Sequence, residues 1–308
     1  MTRAFFIVGP TATGKSELAA DVAREVGAEI VSADAFQIYC GLDLLAAKPE
    51  SSTLAKARHH LIGTVPLTEE MNVEKYRCTA TRAIEEINLR GNLAIVVGGS
   101  GLYIKALTHG LAPLPRSDPK VRQELNAMSL DDLRSQLCEL DPETARKIDL
   151  KNRLRVVRAL EICLLTGRPA SEVVAGVGDS GWPGSSIPAT GVFVFRDREE
   201  LYERINQRVE MMFESGVIEE VRAVGATSAT ASQMIGLRKI RELLEGKISL
   251  SQCIAEIQQA TRRYAKRQLT WFRRQTNFVP LNLSFLTHKE AAKWISLRLL
   301  SEVGTRDD

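Results

Sequence analysis

The chain of 308 residues has no apolar run approaching the ~18 residues of a membrane-spanning helix, so no such span is expected. Cysteine is scarce. Cys40, Cys78, Cys138, Cys163 and Cys253 lie far apart and form no C-x-x-C pair, which argues against a disulfide framework and fits reduced, mostly packing thiols. The four histidines, His59, His60, His109 and His288, have no clustered cysteine partners and give no convincing zinc site. No internal repeat or low-complexity tract is visible, and no signal peptide precedes the first strand-like segment. The expectation is a cytoplasmic protein with no membrane attachment. A net charge of +3 is too small to name a partner.

What is present fits a soluble globular protein, with 44% hydrophobic and 26% charged residues. The basic residues are unevenly spread. From Ile257 to His288 there is no acidic residue, yet Arg262, Arg263, Lys266, Arg267, Arg273 and Arg274 fall there. A second cluster runs through Arg146, Lys147, Lys151, Arg153, Arg155 and Arg158. Such stretches are a footprint for a polyanion or merely a solvated helix face, and the two readings weigh about equally.

The first hundred residues alternate strand and helix. Phe5–Val8, Glu29–Asp34 and Leu93–Val97 read as strands, and Lys15–Val26 and Asn72–Arg90 as helices closed by Gly27 and Gly91. That alternation implies an α/β fold: a P-loop-type parallel sheet flanked by helices, with ligands at the carboxyl ends of the strands. After Pro115 the character changes. Residues 118–166 are helical and charged, 176–184 (GVGDSGWPG) a flexible loop, and Val192–Phe195 a return to the sheet, followed by an amphipathic helix over Arg198–Ser215. The predicted organisation is an α/β core, 1–116 with 189–308, carrying a mostly helical insertion, 117–188.

GPTATGKS, from Gly9 to Ser16, follows a strand and precedes a helix, as a loop that cradles phosphates requires. Lys15 would neutralise phosphate oxygens, and the Ser16 hydroxyl would bind Mg²⁺. The third strand, however, ends in Gly98-Gly-Ser100, without the aspartate that holds Mg²⁺ in hydrolases of this type. The nearest carboxylate at a strand end is Asp34, which can take a proton from a nucleophile beside a bound diphosphate. Phe36, Ile38 and Tyr39 would shape an apolar pocket or belong to the core, and Gln37 offers donor and acceptor edges to a base.

GPTATGKS, SADAFQIY, AKP at Ala47–Pro49, GGSGLYIKAL at Gly98–Leu107, RALEI at Arg158–Ile162 and TRRYAKRQLTWFRR at Thr261–Arg274 resemble the tRNA dimethylallyltransferase (tRNA isopentenyltransferase) family, collinearly from the first strand to Arg274. The resemblance implies that Gly9, Pro10, Thr11, Ala12, Thr13, Gly14, Lys15 and Ser16 hold the diphosphate of dimethylallyl diphosphate, with Mg²⁺ on Ser16. Its prenyl group would pass to the exocyclic amine of adenosine 37 of a tRNA. The implied catalytic residues are Asp34 as general base, Ser100 where the family usually has threonine, and Arg238 as a clamp on the diphosphate. The implied tRNA contacts are Asp34, Ala35, Phe36, Gln37, Ser100, Arg122, Leu154, Arg155, Val156, Val157, Arg158, Lys266, Arg267 and Gln268, in a monomer. Flipping the target base out of its stack calls for aromatic neighbours, with Phe36, Tyr39, Tyr103 and Trp271 as candidates. Leu45 and Ala46, Lys151 and Asn152, and Leu237 depart from the family's usual residues.

The rival readings are an adenylate isopentenyltransferase acting on AMP, a P-loop nucleoside kinase, and an RNA-binding protein without catalysis. A mononucleotide needs neither the insertion nor the basic C-terminal helix. Donor dependence separates the prenyl transferase from the kinase.

Overall fold

In the computed structural model, which describes residues 2–111, 114–175, 187–275 and 277–304, two compact units emerge: 1–108 with 187–308, and 109–186. The loop expected over 176–184 lies outside the described residues.

The first unit is built on six parallel strands in the order β3-β2-β4-β1-β5-β6. They are β1 (Ala4–Val8), β2 (Glu29–Ala33), β3 (His59–His60), β4 (Ala94–Gly98), β5 (Thr190–Phe195) and β6 (Val279–Asn282). The helices of this unit are α1 (Lys15–Val26), α2 (Ser51–Leu54), α3 (Val73–Leu89), α4 (Gly101–His109), then α10 (Arg198–Glu214), α11 (Val217–Arg222), α12 (Leu237–Leu244), α13 (Leu250–Phe272) and α14 (His288–Gly304). The strands read as unbroken apolar runs because both faces are covered. In β1, Phe6 and Val8 enter one core with Tyr76, Ile84 and Phe272, while Phe5 and Ile7 enter another with Leu18, Val22 and Ile295. Helix ends follow local chemistry: Asn72 caps α3 through Lys75 N–H, Ser249 caps α13, and Gly27 closes α1 at φ 70°.

The register sets the site. Val8 and Ala33, the last residues of β1 and β2, both pair with Gly98, the last of β4. Gly9, Asp34 and Gly99 therefore leave the sheet side by side. Glycine is required twice in this seam. A Cβ on Gly9 would lie 2.1 Å from the Val194 carbonyl oxygen, and one on Gly98 2.2 Å from that of Ala33.

The second unit is helical: α5 (Pro119–Ala127), α6 (Leu130–Leu140), α7 (Pro142–Lys147), α8 (Arg153–Thr166) and α9 (Ala170–Ala175). Asp118, Ser129, Asp141 and Asn152 cap four successive helices, breaking what the composition presents as one helical stretch. Leu125, Leu133, Leu137, Val156 and Leu160 form its core. Beside that core Glu161 is fully buried, accepting hydrogen bonds from Ser117, Asp118 N–H, Arg122 and Arg158. The cysteines divide differently from the sequence expectation. Cys163 and Cys253 are buried packing residues, but Cys40, Cys78 and Cys138 are exposed.

Candidate active site

The phosphate loop is held open by its own carbonyls. Pro10 O accepts from the Thr13 hydroxyl at 3.0 Å and from Lys15 Nζ at 3.2 Å. Ala12 O accepts from Arg204 Nε at 2.9 Å, and Thr13 O from Arg196 Nε at 3.0 Å. Among the described residues, the N–H groups of Ala12 through Glu17 make no hydrogen bond. With Ala12 at φ 66° and Gly14 at φ 89°, the backbone forms a nest at the positive end of α1. Carbonyls engaged on one side and free N–H groups on the other describe an anion site.

Three cations beyond Lys15 reach the loop. Arg196, Arg204 and Arg208 fall eight and then four residues apart, the last two on α10, and each bonds the loop, Arg208 through Nη1 to Thr11 Oγ1 at 2.9 Å. Sequence reading missed them. The visible signal was their spacing, next to the apolar face of Leu201, Ile205 and Val209. Arg238, expected as the diphosphate clamp, lies on α12 with its side chain 80% exposed and paired to Glu242 at 3.6 Å, so this structure does not bring it to the loop. The neighbouring Leu237 is buried, which aims the next residue outward.

Burial lowers the Lys15 pKa to about 8, with the Asp34 charge opposing and Arg208 assisting. Asp34 is half-buried, and its Oδ1 accepts from Phe36 N–H at 2.9 Å and Gln37 N–H at 3.3 Å. Oδ2 has no hydrogen-bond partner among the described residues, so one oxygen anchors the turn and the other is available to a ligand. The charge of Asp34 acts on Lys15, Arg208, Tyr76, Tyr103 and Tyr264, marking it as the electrostatic centre of the rim. Ser100 Oγ, buried, accepts from Ala35 N–H at 3.0 Å.

Helix α13 closes the rim. Gln268 accepts from Thr11 N–H at 2.9 Å and donates to Gly99 O at 2.8 Å, and the Trp271 indole lies 2.6 Å from where a Cβ on Gly101 would sit. Lys266 and Arg267 face solvent on the same helix.

Packing places the expected RNA contacts differently from one another. Gln268 is buried with both ends of its amide engaged, so it offers no surface to RNA. Val156 and Val157 are buried in the core of the helical unit, whereas Leu154 and Arg155 on the same turn are exposed. Arg122 and Arg158 are tied to buried Glu161. Gln37 donates to Ala47 O, which engages the amide expected to read a base. Tyr39 and Tyr103 are core residues: the Tyr39 hydroxyl bonds Thr230 at 2.6 Å, and Tyr103 stacks on Tyr76 at 3.8 Å. Phe36, half-buried, and Trp271 remain at the rim. Of the departures, Leu45 and Leu237 share one buried cluster, and Asn152 caps α8.

A metal at the loop would rely on oxygen. The Ser16 hydroxyl, on the first turn of α1, borders a small cavity walled also by Ser32 and Gln37, and no carboxylate ends β4. One hydroxyl plus substrate phosphates suits Mg²⁺, which usually keeps few protein ligands.

Comparison with known proteins adds independent findings. The family model described as IPP transferase matches residues 37–275. The chain is 41% identical over 273 residues to tRNA dimethylallyltransferase 1 of Citrifermentans bemidjiense, covering 87% of this chain and 88% of that protein. It is 38% identical over 302 residues to the tRNA dimethylallyltransferase of Akkermansia muciniphila, covering 97% and 99%. The crystal structure of the full-length tRNA isopentenylpyrophosphate transferase of Bacillus halodurans superimposes with a TM-score of 0.72 at 31% identity, covering 99% of this chain and 98% of that one.

Proposed function

The chain belongs to the IPP transferase family, and we propose that it acts as a tRNA dimethylallyltransferase, moving the dimethylallyl group from dimethylallyl diphosphate to the exocyclic amine of adenosine 37 in a tRNA. The observation that carries this reading is the conjunction at one rim of an anion nest with a carboxylate holding one oxygen in reserve, where β4 supplies no hydrolase-type aspartate. A diphosphate to be expelled and an amine to be deprotonated need that pair.

In the proposed reaction the amine lone pair forms a bond to C1 of the allyl group as the C1–O bond to diphosphate breaks. The electron pair of that bond leaves on the diphosphate, and the amine proton goes to Asp34 Oδ2. The loop N–H groups, Lys15 and Arg208 stabilise the departing charge, the term that usually lowers such barriers most. Ser100 Oγ accepts from the substrate amine and holds it beside Asp34. Ser16 and the diphosphate oxygens would hold Mg²⁺, which neutralises diphosphate charge when bound.

The target base must leave its stack, at a cost of a few kcal/mol. Exposed Lys266 and Arg267 on α13, and Leu154 and Arg155 on α8, are the side chains offered to the RNA on their respective units. No helix of the described residues is long and apolar enough to cross a membrane.

The test incubates protein, Mg²⁺ and an unmodified tRNA carrying three adenosines at positions 36 to 38, with dimethylallyl diphosphate or ATP in separate tubes. Mass spectrometry of the digested RNA is expected to show one prenyl group on one adenosine, only with the allylic donor. A gain on free AMP instead, or ATP-dependent phosphorylation, rejects the reading.

A further inference from the structure

We propose that Gln268 on α13 is a positioning residue that fixes the distance between the phosphate loop and the β4–α4 turn. The role rests on the prenyl-transfer reading above, and it replaces RNA contact as the function of Gln268.

The glutamine joins segments far apart in sequence. Its Oε1 takes Thr11 N–H and its Nε2 gives to Gly99 O, and it is 6% exposed. Both bonds use one planar amide, so its orientation is fixed, since a flip would set a donor against Thr11 N–H. The site is built around it: a Cβ on Gly99 would stand 2.2 Å from Nε2. The only backbone hydrogen bond otherwise linking the loop start to this turn, among the described residues, is Gly9 N–H to Gly98 O at 3.2 Å. Thr11 N–H lies outside the run of free amides from Ala12 to Glu17, so the brace leaves the anion nest intact.

Burial and the charge of Asp34 raise the pKa of Tyr264, one turn before Gln268, so its phenol stays protonated. The Arg267 guanidinium covers its ring at 5.6 Å. The loop carries the leaving group, while Ser100 and Asp34 carry the nucleophile. One amide thus sets the separation between the two halves of the reaction, where a displacement of about 1 Å costs ~10²-fold in rate.

The experiment compares Gln268→Leu and Gln268→Met with Arg267→Ala, measuring kcat and KM for tRNA prenylation and, by calorimetry, affinity for inorganic pyrophosphate with Mg²⁺. Gln268→Leu is expected to lower kcat by ~10²-fold with KM for tRNA unchanged, from lost alignment. It should also weaken pyrophosphate about tenfold, the effect of roughly one lost hydrogen bond on the loop. Gln268→Met, which keeps the side-chain length but loses both hydrogen bonds, is expected to show the same two losses and serves if the leucine variant does not fold. A raised KM for tRNA at unchanged kcat, as expected of Arg267→Ala, overturns the proposal. If the wild type transfers no prenyl group, the functional reading fails on its own, and the pyrophosphate titration still decides the brace, unchanged affinity in Gln268→Leu refuting it.

Discussion

Arg208 Nη1 donates to Thr11 Oγ1 at 2.9 Å, while its buried Nε finds no partner among the described residues. Burial lowers the pKa of this guanidinium, Asp34 opposing and Arg204 assisting, so the ligand-free protein maintains a desolvated cation beside an anion nest. In the proposed reaction the incoming diphosphate would supply an acceptor.

Arg208→Met should therefore separate stability from activity. Transfer is expected to fall ~10²–10³-fold, the usual effect of removing one preorganised donor. The ligand-free protein is expected to gain roughly 1–3 kcal/mol, because an apolar group replaces a buried charge. Urea unfolding and single-turnover prenylation measure the two. A destabilised but active variant would contradict the assignment.

Lys15 predicts a proton linkage. Above about pH 8 its ammonium is largely neutral in the ligand-free state, and a bound diphosphate restores the charge. Pyrophosphate affinity is expected to fall as pH rises through 8, with proton uptake on binding above it. Titrations in two buffers of different ionisation enthalpy measure that uptake, and none would be seen in Lys15→Met. For folding the sign is opposite. The folded state binds fewer protons at Lys15 than the unfolded chain between about 8 and 10.5, so this residue makes stability rise with pH there.

Glu29, at the start of β2, governs acid stability. Burial pushes its pKa up, but hydrogen bonds from Asn92, His60 and Arg90, and the Arg90 charge, outweigh this and hold it at about 2. The depressed value stabilises the fold above pH 4.5 by roughly 3 kcal/mol, and that contribution is lost as pH falls from 4.5 toward 2. In urea melts across that range, Glu29→Gln should be less stable at neutral pH and show a flatter pH dependence. A parallel curve would exclude this residue as the source.

Two arginines three positions apart in α8 should behave differently. Arg158→Ala removes one of the two arginines on the buried carboxylate of Glu161, leaving Arg122, Ser117 and Asp118 N–H, and is expected to cost about 1.5–3 kcal/mol of stability, the worth of one charged hydrogen bond. Arg155→Ala, at an exposed position, should leave the melting temperature unchanged and reduce RNA affinity and its salt dependence. Equal melting shifts would refute the distinction.

The legible part of this chain was whatever local chemistry dictates. Apolar runs at Phe5–Val8 and Leu93–Val97 mark strands covered on both faces, and Gly9–Ser16 marks the loop between strand and helix. Asp34 stood out because a carboxylate closes a strand. The arginines that touch the loop did not, since Arg196, Arg204 and Arg208 are distant in sequence and join it only through the β1–β5 pairing. Gln268 looked like part of a basic surface because composition does not show which side of α13 turns inward. Val156 and Val157 illustrate the same limit: neighbours in a motif, they project into a core while Leu154 and Arg155 project to solvent.

The central claim is that Asp34 removes the amine proton at a site where the diphosphate is already held. Asp34→Asn preserves an oxygen for Phe36 N–H and removes the base. Single-turnover prenylation of the tRNA, measured with tRNA and pyrophosphate affinities on the same preparation, tests it most directly. Both affinities retained with transfer reduced by ~10²–10⁴-fold is the expected result. Transfer at the wild-type rate would contradict the account.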